Sequence, residues 1–373
     1  MSELVNSLNK FSFHTLQSTN SSDDIENSVF SPYSAFVCVA MSISLFEKQT
    51  RTEILNSLQI CSGNLELESF LHQLFDFIDK ENTDKVSSSN RIWANQNLNF
   101  HPETFAANAK FLGIPIEKVT FPEPACSVIN EEVYRTTKGM ISKLVDPSDL
   151  GPESALVLLN AIYFKSNWDK KFDIDPDESL NFTLANGTQI HAKMIQSFDR
   201  KLPYAENANF QVVSIPYMQN QYDYVVILPK DHSLAGYEAL TKLTYEVLNN
   251  ELLTKLQNKK VNVKIPKFSF ESKINLNKTF KSLGMNKAFT ESADCIDPVV
   301  KYYVSSIIQK AKIVLDENGT EAAAATEMIM NFRCRIEPEP VVNIFADHPF
   351  AFLLRHKQTG SIIFEGFVKN PQE

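Results

Sequence analysis

The most constraining feature of this 373-residue chain is a segment of small side chains near its C-terminus, residues 316–335. The segment reads DENGTEAAAATEMIMNFRCR, with four consecutive alanines shortly after Gly319. When its residues are taken alternately from Thr320, one set is uncharged and the other set holds every charge. Successive side chains of a β-strand point to opposite faces of a sheet. The alternation is therefore typical of a strand with one buried face and one wetter face.

The same segment also has the properties of a helix start. Thr320 is a suitable helix cap, and the alanines at 322–325 have the highest helix propensity. This segment favours helix and strand equally. The two predictions are compatible, because a segment can be helical first and become a strand when it enters a sheet. No proline occurs between Gly319 and Glu337, so a central position in a sheet is open to it. Gly319 supplies a pivot that costs little strain.

Short motifs along the rest of the chain decide how this segment is interpreted. They are, in chain order, FSPYS at 30–34, LLNAIYF at 158–164 with Trp168 after it, IPY at 215–217, ILPK at 227–230, IPKF at 265–268, LGM at 283–285, ADHPF at 346–350 and IFEG at 363–366. Each motif alone is weak. In this order and spacing they resemble the serpin family, which consists of protein inhibitors of serine proteases, and the resemblance covers nearly the whole chain.

The resemblance implies an α+β fold, the serpin fold, with about nine helices and three β-sheets. It implies one domain, residues 1–373, from which a reactive-centre loop at approximately 317–338 is exposed. No linker rich in Gly, Pro or Ser divides the chain, which agrees with one large domain. The family branch that the N-terminal sequence MSELVNSLNKFSFHTL resembles is the intracellular, ovalbumin-like one.

Hydrophobic periodicity gives a coarse secondary structure of the α+β kind, with strands crowded into the C-terminal half. Predicted helices lie near 2–17, 33–46, 50–58, 66–80, 102–112, 127–143, 237–256 and 274–283. Predicted strands lie near 86–94, 114–121, 155–165, 189–197, 209–217, 222–229, 260–270, 299–315, 341–346, 350–355 and 361–368. The strand that ends at Leu315 leads directly to Gly319, so the loop should extend from the end of a sheet strand.

The bond that a protease would cut follows from the resemblance. In the family the scissile residue lies 16 positions after a hinge glutamate, which aligns here with Glu317 and predicts cleavage at Arg333–Cys334. A trypsin-like protease carries an aspartate in its specificity pocket, which would pair with the guanidinium of Arg333. The alternatives are the bond Arg335–Ile336 and chymotrypsin-like attack after Phe332 or Met330.

After cleavage, the resemblance implies that residues 318–333 enter the main sheet as an added strand. The hinge residues are Glu317, Gly319, Thr320, Glu321, Ala322, Ala323, Ala324, Ala325 and Thr326. The apolar side chains that this inserting strand would bury are Met328, Met330 and Phe332. Small hinge residues favour fast insertion, because a charged side chain would need desolvation as insertion begins.

Five residues are assigned by resemblance to the region where the sheet opens: Ser31, Ser34, Asn160, Lys267 and Gln309. Lys267 is expected to pair with Glu317 near the point of insertion. Capping and turn formation are the ordinary roles of such serines, and both roles are compatible. The chain departs from the family pattern at Gln309, where a histidine is usual, at Phe46-Glu47, where glycine is expected, and at Asn318, where a charged residue is common. An altered barrier to opening is therefore expected.

Composition excludes several classes of partner. The net charge is −9 and no long basic run occurs, so nucleic acid is not an expected partner. Residues 64–81 are acidic, which argues against heparin binding there. No apolar run reaches the ~18 residues of a membrane span, and the N-terminus lacks a secretory signal. We expect a monomer in the cytoplasm, or one secreted without a conventional signal peptide.

Neither enzyme nor metal chemistry is indicated. The common motifs for hydrolase nucleophiles, zinc proteases, phosphate loops and dinucleotide binding are absent, and the seven histidines show no metal-ligand spacing. No cofactor is expected. The five cysteines, at 38, 61, 126, 295 and 334, are odd in number and widely spaced, which favours free thiols over disulfides.

Two functions are compatible with a serpin. The first is a suicide-substrate inhibitor of trypsin-like serine proteases, and the alternative is a non-inhibitory serpin that acts as a binding, storage or chaperone-like protein. Non-inhibitory relatives tend to carry bulky or charged residues or proline at the positions equivalent to 320–326. The small residues found here favour inhibition.

Overall fold

The structure is a computed structural model that describes residues 2–19, 27–60, 69, 85–101, 103–104, 116–177, 181–320 and 340–372. The side chains of residues 2–4 and 17–19 are not included in this description. The predicted loop beyond Thr320 lies outside the described residues. So do nearly all residues of the helices predicted at 66–80 and 102–112.

Seven α-helices occur in the described part of the chain. They are α1 (Ser2–Thr19), α2 (Pro32–Ala40), α3 (Lys48–Ser57), α4 (Ala125–Thr136), α5 (Leu234–Thr241), α6 (Tyr245–Glu251) and α7 (Asn277–Ser282). Helix α2 begins where it does because Ser31 Oγ accepts a hydrogen bond from Ser34 N at 3.2 Å and Pro32 occupies the first turn. Every residue of α2 is buried, so it is a core helix.

The single helix predicted at 237–256 is wrong. The chain forms α5 and α6 there, followed by a 3-10 turn at Leu253–Lys255. The break arises because Thr244 accepts a hydrogen bond from Val247 N and so caps a new helix. Periodicity continues across this break, which is why it does not reveal the cap.

The strands are β1 (Ser28–Phe30), β2 (Val86–Asn95), β3 (Glu117–Val119), β4 (Leu156–Phe164), β5 (Ser166–Asn167), β6 (Asp173–Ile174), β7 (Phe182–Thr183), β8 (Gln189–Ile190), β9 (Met194–Glu206), β10 (Phe210–Pro216), β11 (Tyr222–Pro229), β12 (Gln257–Pro266), β13 (Phe268–Asn275), β14 (Val304–Leu315), β15 (Gly319–Thr320), β16 (Val341–Phe345), β17 (Phe350–His356) and β18 (Ile362–Val368). The strand predicted at 260–270 is two strands. They separate at Lys267 because β12 and β13 belong to different sheets.

These strands form a nine-stranded sheet, a five-stranded sheet and two short two-stranded pairs. The nine-stranded sheet is continuous because the long strand β9 pairs with β10 at its C-terminal end and with β12 along the rest. The five-stranded sheet has the order β13-β14-β4-β2-β3. The resemblance predicts three β-sheets. The described residues form two large sheets and two short two-stranded pairs.

The five-stranded sheet has a buried core on both faces. All nine residues of β4 are buried, and its apolar side chains other than Tyr163 alternate between two hydrophobic clusters. Leu158 and Ile162 join the core that contains α2, whereas Leu159 and Ala161 join a cluster built around α4. This period of two places Asn160 on the α2 face of the sheet.

Candidate functional site

The centre of the five-stranded sheet is closed. Strands β14 and β4 pair directly with each other, in parallel, from Val304 opposite Leu156 to Lys312 opposite Tyr163. The outer neighbours of this pair, β13 and β2, are antiparallel to it. The junction of β14 and β4 is therefore the one parallel ladder inside an otherwise antiparallel group of four strands.

A buried row of amides crosses this junction. Asn90 on β2 lies opposite Asn160 on β4, and Asn160 lies opposite Gln309 on β14. Gln309 Nε2 donates to Asn160 Oδ1 at 2.8 Å, and Asn160 Nδ2 donates to Asn90 Oδ1 at 2.6 Å. All three side chains are buried, so each hydrogen bond is protected from water. We call Asn90, Asn160 and Gln309 the amide row.

The amide row is tied to the start of helix α2. Ser31 N donates to Gln309 Oε1 at 2.8 Å, and Gln309 Nε2 donates to Ser31 O at 2.9 Å. Ser34 Oγ is bonded to Asn160 Nδ2 and donates to Asn90 Oδ1 at 3.3 Å. The structure thus brings together four of the five residues assigned to the sheet-opening region, Ser31, Ser34, Asn160 and Gln309, and their role in opening stays a prediction. Sequence patterns missed Asn90, although an asparagine inside a predicted strand is unusual enough to have been a signal.

The chain reverses direction after β14 in a tight turn. Asp316 N donates to Gly319 O at 2.8 Å, and Asp316 Oδ1 accepts from Asn318 N and Gly319 N at 2.8 and 3.1 Å. Gly319 and Thr320 then form β15, which pairs antiparallel with β5. The predicted extension of the loop from the end of a sheet strand is thus confirmed as far as Thr320.

Gly319 is required at its position by both conformation and space. Its φ is +154°, and a Cβ added there would lie 2.2 Å from Ser166 O and 2.5 Å from Asn167 Cα. Contacts of this length with backbone atoms cannot be relieved by a side-chain rotation. The glycine therefore does more than pivot, because it lets the turn pack directly against β5.

An aromatic cluster holds the turn in place. Trp168 donates from Nε1 to Asp316 O at 2.9 Å and from its backbone N to Asn318 O at 2.8 Å. Its ring stacks on Tyr217 with centroids 4.5 Å apart, and the Tyr217 hydroxyl lies 2.7 Å from Thr320 Oγ1. Burial raises the pKa of Tyr217, so its hydroxyl stays protonated and bonded to the hinge. The predicted hinge residue Thr320 is fully buried here.

An ion pair joins the turn to the neighbouring strands. Lys267 Nζ lies 2.6 Å from Glu317 Oε2, which is the contact expected from the sequence. Burial alone would raise the pKa of Glu317, but the pKa is lowered because the hydrogen bond from Lys267, a backbone hydrogen bond and the charges of Lys267 and Lys171 together outweigh burial. The side chains are 29% and 17% exposed, so the pair is only partly screened by water.

Comparison with known proteins identifies the family to which this architecture belongs. Residues 6–371 match the model of the serpin family, described as serine protease inhibitors. The chain belongs to the serpin family. Its fold is accordingly the α+β serpin fold, and the partners of the family are serine proteases.

The relatives of this serpin include proteins of mammals and of an insect. It is 30% identical to serpin B8 of Homo sapiens over 379 residues, which cover 100% of both chains. It is also 30% identical to leukocyte elastase inhibitor A of Mus musculus over 388 residues, again 100% of both. Among solved structures, Serpin48 of the insect Tenebrio molitor, titled a highly specific serpin, covers 99% of this chain and 98% of its own, with a TM-score of 0.82 and 25% identity.

The residues predicted for the sheet-opening region fall into two groups along β14 of this serpin. Gln309 lies opposite Ile274, whereas Leu315 lies opposite Phe268, the neighbour of Lys267. The separation of six residue steps between these positions corresponds to about 20 Å of strand. The ion pair and turn are therefore at one end of the β4–β14 junction, and the amide row is near its middle.

Most of the predicted loop lies outside the described residues. This holds for the hinge residues from Glu321 to Thr326, for the inserting residues and for the scissile residues. The inserting and scissile residues are Met328, Met330, Phe332, Arg333 and Cys334. Their assignments therefore stay predictions.

The position where the family pattern expects glycine needs none here. Phe46 and Glu47 have φ values of −126° and −128°, which any residue adopts. The ring of Phe46 is fully buried and packs against Tyr302, with centroids 5.6 Å apart. The substitution thus adds an aromatic contact to the core.

Three of the five cysteines are described, and they are free and buried: Cys38, Cys126 and Cys295. Burial raises the pKa of the Cys38 thiol, which makes it unreactive. Free thiols were expected at these three positions, and the structure confirms them. Cys61 and Cys334 lie outside the described residues. Among the described helices, none is long and apolar enough to cross a membrane.

Proposed function

We propose that this serpin is a suicide-substrate inhibitor of trypsin-like serine proteases that is cleaved at Arg333–Cys334. The observation that carries the proposal is the direct parallel pairing of β14 with β4. The sheet is closed by this pairing as long as no strand is inserted between β14 and β4. A turn at 316–319 follows β14, and small residues follow the turn in the sequence.

The topology gives an inserting strand a favourable place. After the turn, a strand that runs back along β14 would be antiparallel to β14, and hence antiparallel to β4 as well. Insertion would replace one parallel ladder by two antiparallel ladders, which are more stable per residue. Burial of Met328, Met330 and Phe332 would add about 1.5–3 kcal/mol for each side chain. The uncleaved fold would therefore be metastable.

The reaction itself uses the catalytic serine of the protease. The serine Oγ attacks the carbonyl carbon of Arg333, the bond to the Cys334 nitrogen breaks, and the new amino terminus takes up a proton. Residues 318–333 then insert and carry the acyl-linked protease on the order of 50 Å. Distortion of the protease active site prevents water from hydrolysing the ester.

A non-inhibitory serpin is the second candidate, and the amide row favours it. Opening the junction requires rupture of the bond between Gln309 and Asn160, and of the bonds from Gln309 to Ser31 if β14 moves away from α2. Buried hydrogen bonds that lose their partners are costly. A slow opening would let the protease deacylate first, and the protein would then be a substrate that is merely cleaved.

A denaturing gel after incubation with trypsin tests this proposal. Inhibition predicts an SDS-stable band near the sum of the two masses and loss of trypsin activity. Arg333→Glu should abolish the band, whereas the matched variant Arg335→Glu should retain it. Cleavage to a shorter chain with trypsin fully active would contradict inhibition. A band that persists in Arg333→Glu but disappears in Arg335→Glu would move the scissile bond to 335–336.

The remaining expectations belong to the same proposal. We propose one serpin domain over residues 1–373, which is supported by a core that includes both Val5 and Val368. We propose a monomer that acts in the cytoplasm, or after secretion without a conventional signal peptide. The net charge of −9 supports neither heparin nor nucleic acid as a partner.

A further inference from the structure

Three side chains with metal-ligand chemistry meet on a part of the molecule that the inhibitory mechanism does not use. His232 follows β11, and Asp347 and His348 lie between β16 and β17. Their ligand atoms all lie within 4.8 Å of one another. His232 and His348 are far apart in the sequence, so ligand spacing could not reveal them.

The hydrogen bonds of His348 leave the lone pair on its Nδ1 facing this cluster. His348 Nε2 lies 2.8 Å from Pro229 O, and a carbonyl oxygen only accepts, so Nε2 carries the proton. In the neutral ring Nδ1 then bears a lone pair, and it lies 2.8 Å from Asp347 Oδ1. Two lone pairs this close require a cation between them, either a proton or a metal ion.

His232 lies close enough to this pair to act as a third ligand. Its Nδ1 lies 3.8 Å from the same Asp347 Oδ1, and its ring stacks on His348 with centroids 3.8 Å apart. Because stacked rings hold their in-plane lone pairs in nearly parallel planes, the exposed His232 side chain would rotate about its side-chain bonds to direct Nδ1 at an ion shared with His348 and Asp347. A metal ion would satisfy all three donor atoms together.

We propose that His232 Nδ1, Asp347 Oδ1 and His348 Nδ1 form a binding site for a divalent transition-metal ion of the zinc type. Two imidazoles and one carboxylate are a donor set that Zn²⁺ prefers. Ligands at about 2.0–2.2 Å in a tetrahedron are roughly 3.3–3.6 Å apart. The 2.8 and 3.8 Å separations bracket that value.

The surroundings support a site that is anchored on one side and open on the other. His348 is 2% exposed and is held through Nε2 by a backbone carbonyl, the outer hydrogen bond that orients metal-ligating histidines. His232 and Asp347 are 59% and 42% exposed, so water can supply a fourth ligand. The bound ion would join the segment after β11 to the segment before β17.

Titration of the full-length, tag-free protein with ZnCl₂ tests the site after dialysis against a chelator. Calorimetry should show one saturable equivalent with a matching rise in melting temperature. His232→Ala and Asp347→Asn should each weaken binding more than about 100-fold, because even outer partners of metal ligands contribute 10–100-fold. His14→Ala, which removes an exposed imidazole on α1, is the matched control and should leave binding unchanged.

Two outcomes would overturn the proposal. Zinc binding that survives both His232→Ala and Asp347→Asn would place the metal elsewhere, and so would binding that is lost in His14→Ala. Absence of any saturable binding to the wild-type protein would exclude the site altogether. Neither variant touches the hinge or the loop, so the result is independent of whether the protein inhibits trypsin.

Discussion

Gly319 shows how one residue controls the hinge. It allows the backbone of the turn to contact Ser166 and Asn167 directly, and it places Thr320 beneath the Tyr217 hydroxyl. The ion pair of Glu317 with Lys267 fixes the same turn from the other side. We infer that the turn is held before cleavage and that movement begins beyond Thr320.

Substitution of Gly319 by alanine tests this packing. We expect Gly319→Ala to lower the free energy of unfolding by about 1–3 kcal/mol more than Gly187→Ala does, because only the first methyl group collides with backbone. Gly187 is the matched control, since its φ is +82° and a Cβ there meets nothing within 4 Å. Denaturant unfolding of both intact variants gives the comparison. Equal losses would show that the close approach of the turn to β5 is not maintained in solution.

At the scale of elements, the junction of β14 with β4 holds the closed sheet together. Its parallel backbone ladder is reinforced by the amide row and by the tie from Gln309 to the start of α2. Glutamine at 309 forms three hydrogen bonds, two with the backbone of Ser31 and one with Asn160. The departure from the histidine usual in the family therefore leaves a fully bonded junction.

Removal of the Gln309 amide should loosen this junction. We expect Gln309→Met to lower the free energy of unfolding by about 2–5 kcal/mol, because Ser31 and Asn160 would keep buried polar atoms without partners. Ser306→Ala on the same strand is the control and should cost less than about 1 kcal/mol. Urea unfolding of the intact proteins measures both. A loss for Gln309→Met no larger than that of the control would mean that the amide row contributes little to closure.

Sequence patterns predicted the positions of helices and strands better than they predicted which side chains meet in the folded protein. Alternation and motifs located β4, β14 and the clustering of Ser31, Ser34, Asn160 and Gln309, because these depend on local pattern and family resemblance. They missed the division of 237–256 into two helices, since a cap such as Thr244 interrupts a helix without interrupting its periodicity. They missed Asn90 and Tyr217 because a partner across strands or sheets is set by register and tertiary packing. The meeting of His232 with His348 belongs to the same class.

At the scale of the whole molecule, we propose that the intact fold has not reached its most stable arrangement. A cleaved loop could insert between β4 and β14. The turn at 316–319 and the small residues after it would let the chain fold back along β14 into that junction. In the proposed mechanism, the intact chain keeps that strand out because its far end is covalently tied to β16. Cleavage at Arg333 would remove the tie and let the sheet gain a strand.

Comparison of the thermal unfolding midpoints of intact and cleaved protein tests the central claim of loop insertion most directly. After incubation with trypsin, the cleaved chain that has escaped trapping is separated from the covalent complex, and the identity of its new N-terminus verifies the cut. Insertion predicts a midpoint raised by more than about 10 °C, from the burial of three large side chains and the gain of two antiparallel ladders. An unchanged or lower midpoint after cleavage at Arg333–Cys334 would contradict insertion.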